Sequence, residues 1–150
     1  MKRTLLLAAF AVTFSASAMA QTPTEALSVV SGDKTHAFQV EVADTLPEIS
    51  TGLSGRATLA KDHGLLMDFR QVREQFNLNM KGVLVELDML FIDGSGMMRA
   101  VATSARPGSL RTVAPGFGAA AVLQIAGGQA MALGIKPGDT VKNKIFGNGG

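Results

Sequence analysis

The 150-residue chain contains no cysteine, no tryptophan and no tyrosine. Without cysteine there can be no disulfide, thiol nucleophile, iron–sulfur cluster or cysteine-ligated zinc, so the core alone must hold the fold. Sugar-binding clefts rely on stacking against Trp and Tyr rings. With only eight Phe, two of them within the first 20 residues, a lectin-like role is disfavoured. Long apolar runs are also scarce. The uncharged run from Thr4 to Phe14 is shorter than the roughly 20 residues a membrane helix needs, and no later stretch is long enough.

That early run has another reading. Lys2 and Arg3 precede it, and Ala18-Met19-Ala20 supplies the small-x-small pattern of a signal-peptidase site before Gln21. Residues 1–20 are therefore expected to be a signal peptide, cleaved between Ala20 and Gln21, with the mature protein periplasmic or secreted. Lys2-Arg3 falls short of a twin-arginine motif, which points to general export. Lys2 and Arg3 are two of the 14 basic residues, and none of the 12 acidic residues precedes residue 21, so the mature chain carries 12 of each. A near-zero net charge removes the main support for a nucleic-acid or anionic-membrane partner. The balance is uneven, with 6 bases and 11 acids over residues 21–93 but 6 bases and Asp139 alone over 94–150.

A mature length of this order suits one domain. Residues 21–26 form a polar lead, 27–146 a single β domain and 147–150 a flexible tail. Residues 27–31 and 36–42 are β-rich runs separated by Gly32-Asp33-Lys34, which predicts a hairpin. Thr45-Leu46-Pro47-Glu48 has capping-box spacing and predicts a short helix ending near Gly52 or Gly55. Residues 64–69 and 76–80 follow as strands, with a charged loop or edge over 70–75. The strongest strand signal is 84–92, turned by Asp93-Gly94-Ser95-Gly96 into a returning strand over 97–103. Residues 111–114 and 119–126 are further strand candidates. A helical turn runs from Gly127 to Leu133, and a last strand covers 140–146. Short runs at about 8- to 12-residue spacing with Gly-rich turns indicate a mainly β domain: a single antiparallel sandwich or barrel with one or two short helices.

The order of these segments resembles an uncharacterised prokaryotic family, domain of unknown function 192, from about Phe38 to Val141. The resemblance is carried by Val42-Ala43-Asp44-Thr45, Gly52-Leu53-Ser54-Gly55-Arg56, Gly64-Leu65-Leu66-Met67-Asp68-Phe69, Met80-Lys81, Leu87-Asp88-Met89-Leu90-Phe91-Ile92-Asp93, Ala105-Arg106-Pro107-Gly108-Ser109, Val122-Leu123 and Gly134-Ile135-Lys136-Pro137-Gly138-Asp139. It implies a compact jelly-roll β-sandwich, often exported, with no established activity to inherit. The family segment that typically reads Trp-Met-Lys-Asn-Thr, two apolar residues, then Pro-Leu-Asp is altered here. Asn79, Gly82, Val83 and Glu86 replace its Trp, Asn, Thr and Pro.

Side chains alternate along the 84–92 strand, so Glu86 and Asp88 share a face at about 7 Å spacing. Such a pair could divide acid and base roles, bind a hard cation, or pair with a base such as Lys81 or Arg56. Arg56 and Lys81, with Asp88, are the candidate walls of an anion-binding cleft, Arg supplying a planar fork for carboxylate or phosphate. Other motifs have plainer readings. Ser54 fails the nucleophile-elbow pattern at Arg56. His36 and His63 lack metal-ligand spacing. Asp93-Gly94-Ser95-Gly96 is too poor in oxygens for a calcium loop. The six Met after residue 20 read as core filling rather than a Cu(I) site. No metal or cofactor is expected. The leading expectation is a periplasmic binding or accessory module for a small anionic ligand. The alternatives are an enzyme using a carboxylate and basic cluster around Asp88, and an envelope structural or interaction protein.

Overall fold

The computed structural model describes residues 22–72 and 77–149. The expected signal peptide and cleavage site, the 73–75 part of the charged loop, Phe76 and Gly150 lie outside the described residues.

β1 (Glu25–Ser31) and β2 (Lys34–Ala43) form the expected hairpin, with Ser31 opposite Lys34 across a tight Gly32-Asp33 turn. α1 (Leu46–Thr51) has the predicted capping box. The Glu48 amide donates to Thr45 Oγ1 at 3.5 Å and the Thr45 amide to Glu48 Oε2 at 3.2 Å, and the helix stops at Gly52. Two orphan N–H groups are thus satisfied by one local motif. Next come β3 (His63–Asp68), β4 (Leu87–Ile92), β5 (Met98–Ala105), β6 (Ala121–Ala126), α2 (Gln129–Leu133) and β7 (Thr140–Lys142).

All seven strands join one sheet in the order β5-β4-β6-β3-β2-β1-β7. Every neighbouring pair is antiparallel except β2 with β3, which α1 and its following loop connect in parallel. The all-antiparallel expectation fails at that pair, and two separate sheets stacked as a sandwich are not found among the described residues. The single sheet instead curls until its two edges meet at one corner. There the Val141 amide donates to Gly96 O at 2.7 Å, the Met98 amide to Asp139 O at 2.8 Å and the Gly138 amide to Met98 O at 2.8 Å. Gly96 is required at this seam: its φ is 89°, and a Cβ there would lie 2.6 Å from Val141 O.

Curling produces two cores. Leu66, Leu90, Leu123 and Ile125 project inward with Phe38 and Val40, while Leu65, Met67, Met89 and Val122 project outward beneath Ile49, Leu53, Met80 and Val83. β4 is buried along its whole length and β6 on five of its six residues, as the apolar runs LDMLFI and AVLQIA imply for strands covered on both faces.

Several boundaries moved for identifiable reasons. β4 begins at Leu87 rather than residue 84 because its partner β6 ends at Ala126. Beyond that point only the Gly127 amide reaches Glu86 O. The expected 76–80 and 111–114 strands reduce to one bridge, Leu78 with Val113. β7 stops at Lys142 because buried Asn143 turns away, its Nδ2 donating to Glu25 Oε1 and Ala26 O. The expected flexible tail lies against this end, with Asn148 Oδ1 accepting from the Asn143 amide and Asn148 Nδ2 donating to Val141 O. No helix among the described residues is long and apolar enough to cross a membrane.

Candidate functional site

The four charged residues expected to form one site are divided by the fold. Asp88 is fully buried on the inner face of β4 with Leu90 and Ile92. Its Oδ1 accepts from the Ser104 amide at 2.8 Å and the Gly128 amide at 3.1 Å, and its Oδ2 from the Ala130 amide at 2.8 Å. Those three backbone donors take up the carboxylate and fasten β5 and the start of α2 to β4. Glu86 also faces the Gly127-Gly128 turn, where its side chain packs against Gly127, but it is exposed. Arg56 forks both nitrogens onto the Glu41 carboxylate, and this hydrogen bonding holds Glu41 below the usual carboxylate range. Glu41 lies on β2 between the inward Val40 and Val42, so the Arg56 pair sits on the opposite face of the sheet from Asp88. Arg56 and Asp88 are not brought together.

Lys81 belongs to a different assembly on the outer face, the turn over residues 79–82. Asn79 Oδ1 accepts from the Lys81 amide at 2.9 Å and the Val83 amide donates to Met80 O at 3.0 Å, so an asparagine side chain closes the turn from within. The turn is stitched to the loop after α1 by Ser54 Oγ donating to Lys81 O at 3.3 Å and the Gly55 amide to Gly82 O at 2.9 Å. On its other side the Met80 amide donates to Ser109 O at 2.8 Å, and the Gly108 amide reaches Met80 O and Val83 O, both at 3.1 Å. Met80, 1% exposed, anchors it in the outer core.

Between this turn and α1 lies a cavity of about 520 Å³, within the usual range for small-molecule sites. Its walls are apolar: Ile49, Leu53, Met67, Leu78 and Val83. Its rim is polar, with Ser54, Asn77, Asn79 and Lys81. Lys81 has no ion-pair partner among the described residues. The cavity is also lined by Gln124 of β6, which is 4% exposed and sits opposite Leu65 and Met89 on the outer face. Gln124 Oε1 is buried with no hydrogen-bond partner among the described residues. Leaving a buried amide oxygen unpaired costs about 1–3 kcal/mol.

Sequence reasoning did not single out Gln124. The signal was present, a lone polar residue inside the otherwise apolar run AVLQIA, but nothing in a linear pattern shows whether such a residue has a partner. In the sequence Asn79 reads only as a departure from the family pattern. Its spacing of two residues before Lys81 is the mark of an Asx turn.

The fold and cavity define a class: a small curled-sheet β domain with an amphipathic pocket on its outer face. The family model of domain of unknown function 192, described as an uncharacterized ACR, matches residues 28–143, and the chain belongs to that family. A crystal structure from Sinorhizobium meliloti 1021, described as a suggested transcription regulator, is similar at 31% identity and a TM-score of 0.77, covering 81% of this chain and 95% of that one. A protein of unknown function from Novosphingobium aromaticivorans DSM 12444 is similar at 29% identity and a TM-score of 0.75, covering 80% and 85% of the two chains. No curated protein matches.

Proposed function

We propose that this protein is a periplasmic binding module whose outer-face cavity holds a small amphiphile carrying one hydrogen-bond donor and one carboxylate. The observation that carries this reading is the buried, unpartnered Oε1 of Gln124, a residue that lines a cavity of about 520 Å³. The donor pairs with Gln124, the apolar body lies against Leu53, Met67 and Val83, and the carboxylate meets Lys81 at the rim. Export, to the periplasm or beyond, is the reading that the Lys2-Arg3 leader and the Ala18-Met19-Ala20 site support. An acid–base role for Asp88 lacks support, because the fully buried carboxylate is occupied by three backbone donors.

Three probes separate the parts of this reading. Indole-3-acetate has the N–H donor, the apolar rings and the carboxylate; phenylacetate lacks the donor, and indole lacks the carboxylate. By isothermal titration calorimetry the mature chain is expected to bind indole-3-acetate about tenfold more tightly than either of the others, since one recovered hydrogen bond or ion pair is worth about 1.4 kcal/mol. Gln124→Leu should erase the preference over phenylacetate, and Lys81→Gln the preference over indole. Equal affinity for all three probes, or a preference that survives Gln124→Leu, contradicts the proposal. Export is checked separately by the mass of the periplasmic form, which should begin at Gln21.

A further inference from the structure

The turn over 79–82 also borders a second cavity, on the side away from Gln124. It measures about 510 Å³ and is lined by Met80, residues 102–106, Ser109, Arg111 and Val113. Its chemistry differs sharply from that of the first. Five arginines lie among the described residues, and three of them hold carboxylates: Arg56 with Glu41, Arg70 with Asp68 and Arg99 with Asp93. Arg106 and Arg111 have no ion-pair partner among the described residues, and both line this one cavity. No acidic side chain among the described residues lines it.

The remaining polar residues carry hydroxyls, which both donate and accept. Thr103, Ser104 and Ser109 also line it, and Ser109 Oγ accepts from the Arg111 amide at 3.3 Å, which leaves its own O–H to donate elsewhere. Ser104 has a φ of 52°, and no other non-glycine described residue has a positive φ. Its amide is locked onto buried Asp88 at 2.8 Å, so the strained residue is held rigidly at the cavity wall. Of the six bases over residues 94–150, Arg99, Lys136 and Lys144 pair with Asp93, Asp139 and Glu25, which leaves the two arginines of this cavity and Lys142 on β7 without an ion-pair partner among the described residues.

We propose that this cavity is a binding site for a phosphate monoester, with Arg106 and Arg111 each presenting a guanidinium fork to its oxygens and the Thr103, Ser104 and Ser109 hydroxyls completing the donor set. Two planar forks and several hydroxyls with no competing carboxylate match a tetrahedral dianion, whose oxygens accept bidentate hydrogen bonds. The site is independent of the Gln124 cavity, since no residue that would hold the phosphate lines both.

The test titrates the ¹⁵N-labelled mature chain with inorganic phosphate at physiological salt, where loose surface attraction is screened. Saturable shifts are expected at the amides of Ser104, Ser109 and Arg111 and at the Nε of both arginines. Arg106→Gln and Arg111→Gln should each weaken binding about tenfold or more, whereas Arg99→Gln, which removes the same charge elsewhere, should change it less than about twofold. Flotation with phosphatidate vesicles tells a lipid headgroup from a soluble monoester. Binding in either arm that depends on both arginines supports the site and identifies its source. Absence of binding in both arms, or equal weakening by Arg99→Gln, overturns it.

Discussion

Asp88→Asn separates a structural carboxylate from a functional one. In the native geometry Oδ1 serves the Ser104 and Gly128 amides and Oδ2 the Ala130 amide. An asparagine that keeps its oxygen toward Ser104 and Gly128 turns an NH₂ group toward the Ala130 N–H. That buried donor loses its acceptor at a cost of about 1–3 kcal/mol, and the two surviving bonds lose their charge assistance at about 1 kcal/mol each. The flipped rotamer is worse, because it orphans two amides. Replacing a buried charge by a neutral group offsets part of this loss, which leaves a net destabilisation of about 2–4 kcal/mol. Against a typical stability of about 5–15 kcal/mol this is a large fraction. Urea unfolding followed by circular dichroism measures it directly, with Glu86→Gln as the exposed neighbour expected to stay within about 0.5 kcal/mol. A loss below about 1 kcal/mol for Asp88→Asn would refute the reasoning, because it would mean the three amides do not depend on that carboxylate.

Two further perturbations follow from the same structure. The Asp68 carboxyl is held below its ordinary value of 3.8 by hydrogen bonding to the Arg70 side chain, partly opposed by burial. A depressed folded-state value means that this stabilisation is complete above about pH 4 and is lost as pH falls through the folded value. Asp68→Asn should therefore be less stable than wild type at neutral pH, with the gap closing in acid; thermal melts from pH 7 down to about pH 2.5 check this, and a gap that persists throughout contradicts it. At the seam, Gly96→Ala places a Cβ 2.6 Å from Val141 O at a φ of 89°. It should destabilise by about 2 kcal/mol or more and raise hydrogen exchange at the Met98 and Val141 amides first, whereas wild-type protection at both would show that the corner tolerates the methyl.

Local chemistry was the legible part of the sequence. The Thr45-Glu48 capping box, the Gly32-Asp33 turn and the apolar run of β4 each depend on neighbours a few residues away; the capping box appears where the spacing predicts it, while β2 starts two residues before and β4 three residues after the expected position. Pairing was less legible. The parallel β2–β3 contact and the seam between β5 and β7 depend on how far the sheet curls, which no short pattern records. The candidate site was legible only in part. Alternation puts Glu86 and Asp88 on one face of a strand, but it cannot show that Asp88 is sealed by amides from Ser104, Gly128 and Ala130. Lys81 was singled out from its family position. Gln124 was passed over because an unmet hydrogen bond is a property of three-dimensional surroundings, not of residue type.

The central claim is that Gln124 awaits a donor in a cavity open to small molecules, and the resonance of its own side-chain amide reports on it most directly. In ¹⁵N-labelled mature protein titrated with indole-3-acetate, that resonance should shift saturably, together with the Lys81 and Val83 backbone amides, and Asn79→Trp, which fills the cavity mouth with an indole ring, should abolish the response. A Gln124 side chain that stays unmoved while the protein binds the probe elsewhere, or a response unchanged by Asn79→Trp, would contradict the account.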